Sequence, residues 1–191
     1  MDPTSSVRLT HESVTVLAHP LRSRLLTALR RGGPATATEL AAELDTNTGA
    51  TSYHLRRLEA VGLVADTGEG VGKRRLWRAA TDMHSWDRSD FADDPDADQA
   101  VSWLVRHYLH QVAERYEGWL DREAEWPMPW RDAAGMGDYL VHVTADQLAA
   151  MTRELEEVYR RWHRAGEGDP DARDVSVAHI AFPSKPDDAP R

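Results

Sequence analysis

Ser52, Tyr53, Arg56 and Arg57 fall within one short run, 48–60, and each can hydrogen-bond a nucleic acid. Arg56 can grip a guanine edge with two parallel bonds or pair with a phosphate. Arg57 is placed for phosphate, and Ser52 and Tyr53 can donate to base edges or to the backbone. Thr48, Gly49 and Ala50 open the run. The small residues at Gly49 and Ala50 would let a helix N-terminus approach a phosphate or base edge closely, where free N–H groups and the helix dipole favour an anion. A second basic set, Lys73, Arg74, Arg75 and then Arg78, follows the glycine-rich stretch Thr67-Gly68-Glu69-Gly70-Val71-Gly72. A solvated helix face and a solvated hairpin would use the same residue types, so the elements that carry these side chains decide what they mean.

Those elements can be read in order. A short apolar-rich helix is expected over 11–18, after a loose tail at 1–9. Pro20 suits the first turn of a new helix. Leu21, Leu25, Leu26 and Leu29 then recur at helical spacing until Gly32-Gly33-Pro34 ends the run. Thr36 and Glu39 make a capping box for a helix that ends near Leu44 and buries Leu40 and Leu44. A tight turn at Asp45–Asn47 leads into the 48–60 helix. Thr51, Leu55 and Leu58 fall on its inward face, with His54 at the edge, which leaves Gly49, Ser52, Tyr53 and Arg56 outward. Gly62 stops this helix and Leu63-Val64-Ala65 is β-prone. After the glycine-rich turn, alternation along a strand puts Arg74, Leu76 and Arg78 on one face and Arg75 and Trp77 on the other. Helix, turn, helix and basic hairpin make a winged helix-turn-helix.

The runs His19-Pro20-Leu21-Arg22, Glu39-Leu40-Ala41, Ser52-Tyr53-His54-Leu55-Arg56-Arg57-Leu58 and Gly62-Leu63-Val64 resemble the ArsR-type winged-helix transcriptional regulators over about residues 10–80. The resemblance implies a cytoplasmic, homodimeric, DNA-binding regulator whose affinity for DNA an effector alters. It also implies that the helix after the wing builds the dimer interface. Founding members sense metals or arsenite, often through cysteines. This chain has none, so the arsenical function does not carry over.

Charge separates the chain into two parts. Residues 1–80 carry 11 Lys and Arg against 8 Asp and Glu, and the remainder carries 12 against 24. The asymmetry assigns nucleic acid to the first part and weakens non-specific attachment by the second. A hydrophobic fraction of 41% supports a real core. No membrane-spanning run and no signal peptide are expected. The absence of cysteine fits a reducing cytoplasm and excludes disulfides and thiolate metal sites.

The organisation expected is therefore mainly α with a small β-wing. A winged domain at 10–80 is followed by an acidic linker at 81–98, rich in aspartate and anchored by Trp86 and Phe91. A helical dimerisation and effector region at 99–183 completes the chain. A long helix from about Pro95 to Glu125 carries Val101, Leu104, Tyr108, Val112, Tyr116 and Trp119 as a stripe that either fills a core or pairs with a second copy. Trp126-Pro127-Met128-Pro129-Trp130 stops that helix. Thr144 and Gln147 box the start of another, with Leu148, Met151, Leu155, Val158 and Trp162 on one face. Residues 139–143 and 175–182 look like two strands that could pair. This second region resembles the C-terminal extensions of some actinobacterial ArsR-like regulators.

Two further clusters stay open. Trp126, Trp130 and Trp162 could line an aromatic effector pocket or simply fill a core or interface. His107 and His110, with Glu114, could share a helix face with zinc or nickel geometry, or stand as ordinary polar positions. Asp82-Met83-His84 follows the wing but lies too far ahead of His107 to complete a sensor set. No nucleophile elbow, phosphate loop or paired acid and base is present, so no enzyme and no cofactor are expected. The expected function is a homodimeric, sequence-specific regulator of transcription, a repressor, bound to double-stranded DNA under an unidentified effector and not associated with a membrane. The alternatives are a metal-responsive sensor on the same scaffold and a protein-interaction module that uses the winged helix.

Overall fold

The computed structural model describes residues 6–70, 72, 74–185 and 187. The chain divides into two compact units, 1–117 and 118–191. Among the described residues no helix is long and apolar enough to cross a membrane.

The first unit runs β1 (Ser6–Arg8), α1 (His11–Leu17), α2 (Pro20–Gly32), β2 (Ala35–Thr36), α3 (Ala37–Glu43), α4 (Thr48–Ala60), β3 (Val64–Asp66), β4 (Leu76–Ala79), β5 (Met83–Ser85) and α5 (Pro95–Leu120), whose last turn passes into the second unit. The helix starts follow local chemistry. Thr10 and Ser13 cap α1 reciprocally, and Thr36 and Glu39 do the same for α3, with the Glu39 carboxylate accepting the Thr36 N–H at 2.7 Å. His19 caps α2 through Nδ1, which accepts the Leu21 N–H ahead of the expected Pro20 start. Asp45, at φ 51°, takes the left-handed turn between α3 and α4, a conformation that Asp tolerates better than most residues. Gly62, at φ 72°, ends α4.

One core holds this unit together. Leu25, Leu26 and Leu29 of α2, Leu40 of α3, Leu55 and Leu58 of α4, Leu63, Val64 and Trp77 are all buried, joined by Val14 and Leu17 of α1. The wing sheet has the order β2-β4-β3. Both of its pairs are antiparallel, and Trp77 stands opposite Ala35 on one side and Asp66 on the other.

Three expectations need correction. Within the expected loose tail at 1–9, Ser6–Arg8 form β1, which pairs in parallel with β5, Val7 opposite His84, and residues 1–5 lie outside the described residues. The stretch 81–98, read as an acidic linker, is built into the domain. Its Phe91 is 1% exposed in the core. Arg8 binds Asp87 at 2.6 Å and Asp90 through Nε at 2.9 Å and Nη2 at 2.7 Å. Asp94 caps α5 by accepting the N–H groups of Asp96 and Ala97, and Asp98 pairs with Arg88 at 2.9 Å. These carboxylates thus have specific caps and partners while they remain in contact with solvent.

The stripe on α5 is also reassigned. Val101 and Leu104 are fully buried in the chain's own core, so these two cannot meet a second copy, and Tyr108 is half-buried against that core. Val112, Tyr116 and Trp119 stay half-exposed. Val105 and Leu109 are exposed, so the apolar face left open on α5 runs Val105, Leu109, Val112 and Tyr116.

A half-buried polar cluster joins α5 to the helix-turn-helix. Arg30 of α2 donates through Nη1 to His84 Nδ1 at 2.6 Å and through Nε to the Thr81 carbonyl at 3.0 Å. Nδ1 must therefore present its lone pair, and Nε2 carries the proton and donates to the Tyr108 hydroxyl at 3.0 Å. Trp86 stacks on the other side of the imidazole, with ring centres 5.8 Å apart. Burial, reinforced by the Arg30 charge, pushes His84 from the usual 6.5 down to about 3. Burial pushes Tyr108 up to about 12.

In the second unit a short 3₁₀ turn at Glu123–Glu125 precedes α6 (Met128–Ala133) and α7 (Ala145–Trp162). The expected box at Thr144 and Gln147 caps α7. Residues 139–143 and 175–182, expected to pair as strands, have no ladder among the described residues, and Tyr139, Leu140, Val177 and Phe182 stand exposed. Alternation marks β-propensity only, and a strand pair needs a surface to bury its apolar face against. No residue of α7 is fully buried.

His84 gives this fold an acid sensitivity. The folded ring stays neutral, while the unfolded ring takes up a proton below about pH 6.5. Its contribution is complete above that pH and is lost progressively as pH falls toward 3, at about 1.4 kcal/mol per pH unit at most. Urea unfolding of the wild type and of His84→Asn at pH 7, 6 and 5 should give a shallower pH slope in the variant, whatever its absolute stability. Parallel slopes would mean that His84 is not held neutral.

Candidate nucleic-acid interface

The α3–turn–α4 pair sets which residues face solvent. Thr51, Leu55 and Leu58 are each 0% exposed, and this fixes the rotation of α4 about its axis. Tyr53, Arg56 and Arg57 are consequently exposed, as are Thr48 and Gly49, while Ser52 and Ala50 are half-buried. The inward and outward faces agree with the sequence reading.

The start of α4 is less open than expected. Asn47, the N-cap, accepts the Ala50 N–H through Oδ1 at 2.8 Å, so that donor is occupied. A Cβ at position 49 would stand 3.3 Å from the same oxygen. Gly49 therefore serves the cap as well as any close approach by a ligand.

A cleft of about 180 Å³ lies between α4 and the wing, lined by Thr48, Ser52, Arg56 and Arg74 among others. The opening residues of α3, Thr36 to Thr38, close its far side. Three separate elements thus deliver hydroxyl groups and guanidinium groups to one solvent-facing groove. The other flank of α4 carries Tyr53 and Arg57, and here the sequence reading missed a neighbour. Arg22 of α2 lies close enough to Arg57 and Tyr53 to feel their charge, and desolvation with the Arg57 repulsion lowers its pKa. His19 and His54 lie near it in contact with one another, their rings tilted by 40° with centres 4.5 Å apart. Desolvation holds both histidines below their usual range, with Arg22 adding to the effect. Arg22 sits in the His19-Pro20-Leu21-Arg22 run, but only the packing of α2 on α4 brings it to this flank.

The wing residues divide. Arg74 is exposed, and its charge adds to the hydrogen bonds from the Thr36 backbone and side chain that hold the Glu39 carboxyl below its usual range. Arg75 differs from the expectation of an open phosphate contact. It lies 3.4 Å from Asp66 and 3.5 Å from Glu59, with its guanidinium 5.6 Å from the centre of the Trp77 ring. Two carboxylates and an aromatic face already compete for it, so it braces the wing against α4. Arg78 is exposed and donates to the Ala79 carbonyl at 3.3 Å. Lys73 lies outside the described residues.

The remaining candidates are not gathered into a site. His107 stacks on Trp103 at 4.7 Å between ring centres and lies 3.0 Å from the Gln111 amide. His110 lies 3.3 Å from Glu114 on the exposed face of α5. Among the described residues, no three histidine or carboxylate side chains converge on a point where a metal could sit. In the second unit Trp119, Trp126 and Trp130 form an edge-to-face ladder, at 5.5 and 5.7 Å. Trp162, at the end of α7, is 67% exposed and makes no ring contact with that ladder among the described residues. The three expected pocket residues are thus two of a ladder and one apart, with Trp119 in the place given to Trp162.

Comparison with known proteins agrees with the first unit. No curated protein matches the chain. A family model described as a helix-turn-helix domain matches residues 17–67, from the end of α1 through α2, α3, α4 and β3 into the start of the wing. The chain therefore contains a helix-turn-helix domain of the kind found in DNA-binding regulators, with α4 in the position of the second helix.

Proposed function

We propose that this protein is a homodimeric, sequence-specific transcriptional regulator, acting as a repressor in the cytoplasm, with α4 in the major groove and the wing on the adjacent backbone. The observation that carries this reading is the α4 surface. Ser52, Tyr53, Arg56 and Arg57 project from a helix whose opposite face is locked in the core, and Arg74 approaches the same groove from the wing. Arg56 reads a base edge. Arg74 and Arg57 neutralise phosphates, and Arg22 lends its charge beside Arg57. No catalytic step is part of this role.

The dimer is supported by the apolar face of α5 that the first unit leaves open, Val105, Leu109, Val112 and Tyr116. A two-fold pair would set two α4 helices about one helical turn apart, which suits an inverted repeat. The acidic second half, 12 Lys and Arg against 24 Asp and Glu beyond residue 80, keeps the attachment confined to the winged domain by repelling DNA elsewhere. The Trp119–Trp126–Trp130 ladder is the candidate seat of an apolar effector.

Fluorescence anisotropy on the DNA upstream of the protein's own gene, against scrambled DNA of equal length, tests the reading. Preferential binding that weakens with salt is expected. Arg56→Ala should cost about 1–3 kcal/mol on the preferred sequence and much less on scrambled DNA. Binding of all sequences as tightly as the wild type would remove α4 from its assigned role. Arg74→Ala should weaken binding to both DNAs and reduce the slope of log affinity against log salt by about 0.9, the value for one phosphate. An unchanged slope would mean that Arg74 touches no phosphate. The expectation for Arg75→Ala is different: its carboxylate partners leave little charge for DNA, so the slope should change less than for Arg74→Ala.

A further inference from the structure

The apolar stripe of α7 is only partly covered. Leu148, Met151 and Leu155 are half-buried, Val158 is 36% exposed and Trp162 is 67% exposed, so the C-terminal end of the seam is left to solvent. The spacing along that seam alternates three and four residues throughout, which is the heptad pattern of a helix that packs along another helix. The outer face is satisfied locally, with Glu156 and Arg160 paired at 3.5 Å. The seam therefore asks for a partner helix, and its flanking charges say which one.

Glu154 and Arg161 border the seam on the same side, one heptad apart in the C-terminal half of the helix. If two copies ran parallel, Glu154 would face Tyr159 of the other copy and Arg161 would face a position beyond the end of the helix. If they ran antiparallel, Glu154 of each copy would face Arg161 of the other, and both flank pairs would be opposite in sign. The same register seats Met151 against Trp162 of the second copy and Leu155 against Val158, so the helices pair over 151–162, each of these layers joins a larger side chain to a smaller one, and Leu148 lies beyond the overlap. We propose that α7 is a homodimerisation helix that pairs antiparallel with α7 of a second copy of this chain. The antiparallel pair is self-complementary, as a two-fold interface requires. This rests on the dimeric reading above and adds to it a contact in the second unit, independent of α5.

The test is reciprocal charge reversal in the full chain, with the dimer dissociation constant measured by analytical ultracentrifugation at low salt. Glu154→Arg alone sets like charges across both flank pairs, and so does Arg161→Glu alone. Each should weaken the dimer about tenfold, as expected when exposed attractive pairs become repulsive. An equimolar mixture of the two variants restores opposite charges at both pairs, and its heterodimer should return to the wild-type affinity. Both positions are exposed, and circular dichroism should report unchanged folding. A mixture no tighter than either variant alone, or single variants that dimerise like the wild type, would overturn the antiparallel pairing while leaving the dimer and its DNA reading intact. A wild type that stays monomeric at every concentration would instead overturn the dimeric reading itself.

Discussion

The burial of Thr51, Leu55 and Leu58 is the constraint on which the rest of the first unit depends. These three side chains fix how α4 is rotated, and rotation decides which side chains reach solvent. A turn of about 100° per residue separates Leu55 from Arg56, so a helix packed one residue out of phase would bury a guanidinium and expose a leucine. The core opposes that slip with the cost of desolvating a charge and of losing a buried leucine, several kcal/mol together. The outward row of Ser52, Tyr53, Arg56 and Arg57 is therefore a consequence of packing, held rigid by α2 and α3 before any ligand arrives. Preorganisation of this kind is what a reader of base edges requires.

The wing is held to that helix by charge as much as by the sheet. Arg75 lies between Asp66 at the end of β3 and Glu59 near the end of α4, with Trp77 beneath it. Each exposed pair contributes little by itself. Trp77, 3% exposed, anchors this arrangement, and Arg74 and Arg75 both line the groove shared with Arg56. The adjacent arginines differ in their partners: two carboxylates and an aromatic face compete for Arg75, while Arg74 is exposed.

A second, half-buried set of bonds attaches α5. Arg30, His84 and Tyr108 belong to α2, β5 and α5, and their bonds leave the imidazole one admissible tautomer. These bonds form only when all three elements are in place, which makes the position of α5 specific in a way that an apolar contact would not, although Arg30 Nη2 stays buried without a hydrogen-bond partner among the described residues. α2 packs against α4, so α5 and the interface helix are both anchored to the same element. The second unit is built differently. Its helices are amphipathic, yet none of the residues of α7 is fully buried, and the apolar segments 139–143 and 175–182 have no partner strand among the described residues. Such a unit has its apolar faces ready for something other than itself.

What the sequence alone determined was local. Helix starts at Pro20, Thr36 and Thr144, the turn at Asp45, the stop at Gly62 and the two faces of α4 follow from side chains within a few residues of one another, and the structure agrees with each. The helix-turn-helix and its outward row were legible for that reason. Tertiary structure decided the long-range matters. The pairing of Ser6–Arg8 with Met83–Ser85 joins residues far apart in the chain, and no periodicity announces it. Aspartates that look like a solvated run become caps and ion-pair partners only when Arg8 and Arg88 arrive. Arg75 reads as one more basic residue until Asp66 and Glu59 claim it. The stripe on α5 shows the limit most plainly. A helical period identifies apolar positions, but Val101 and Leu104 went to the core while Val105 and Leu109 stayed outside, because which face is buried depends on where the neighbouring elements stand, and that information belongs to the fold.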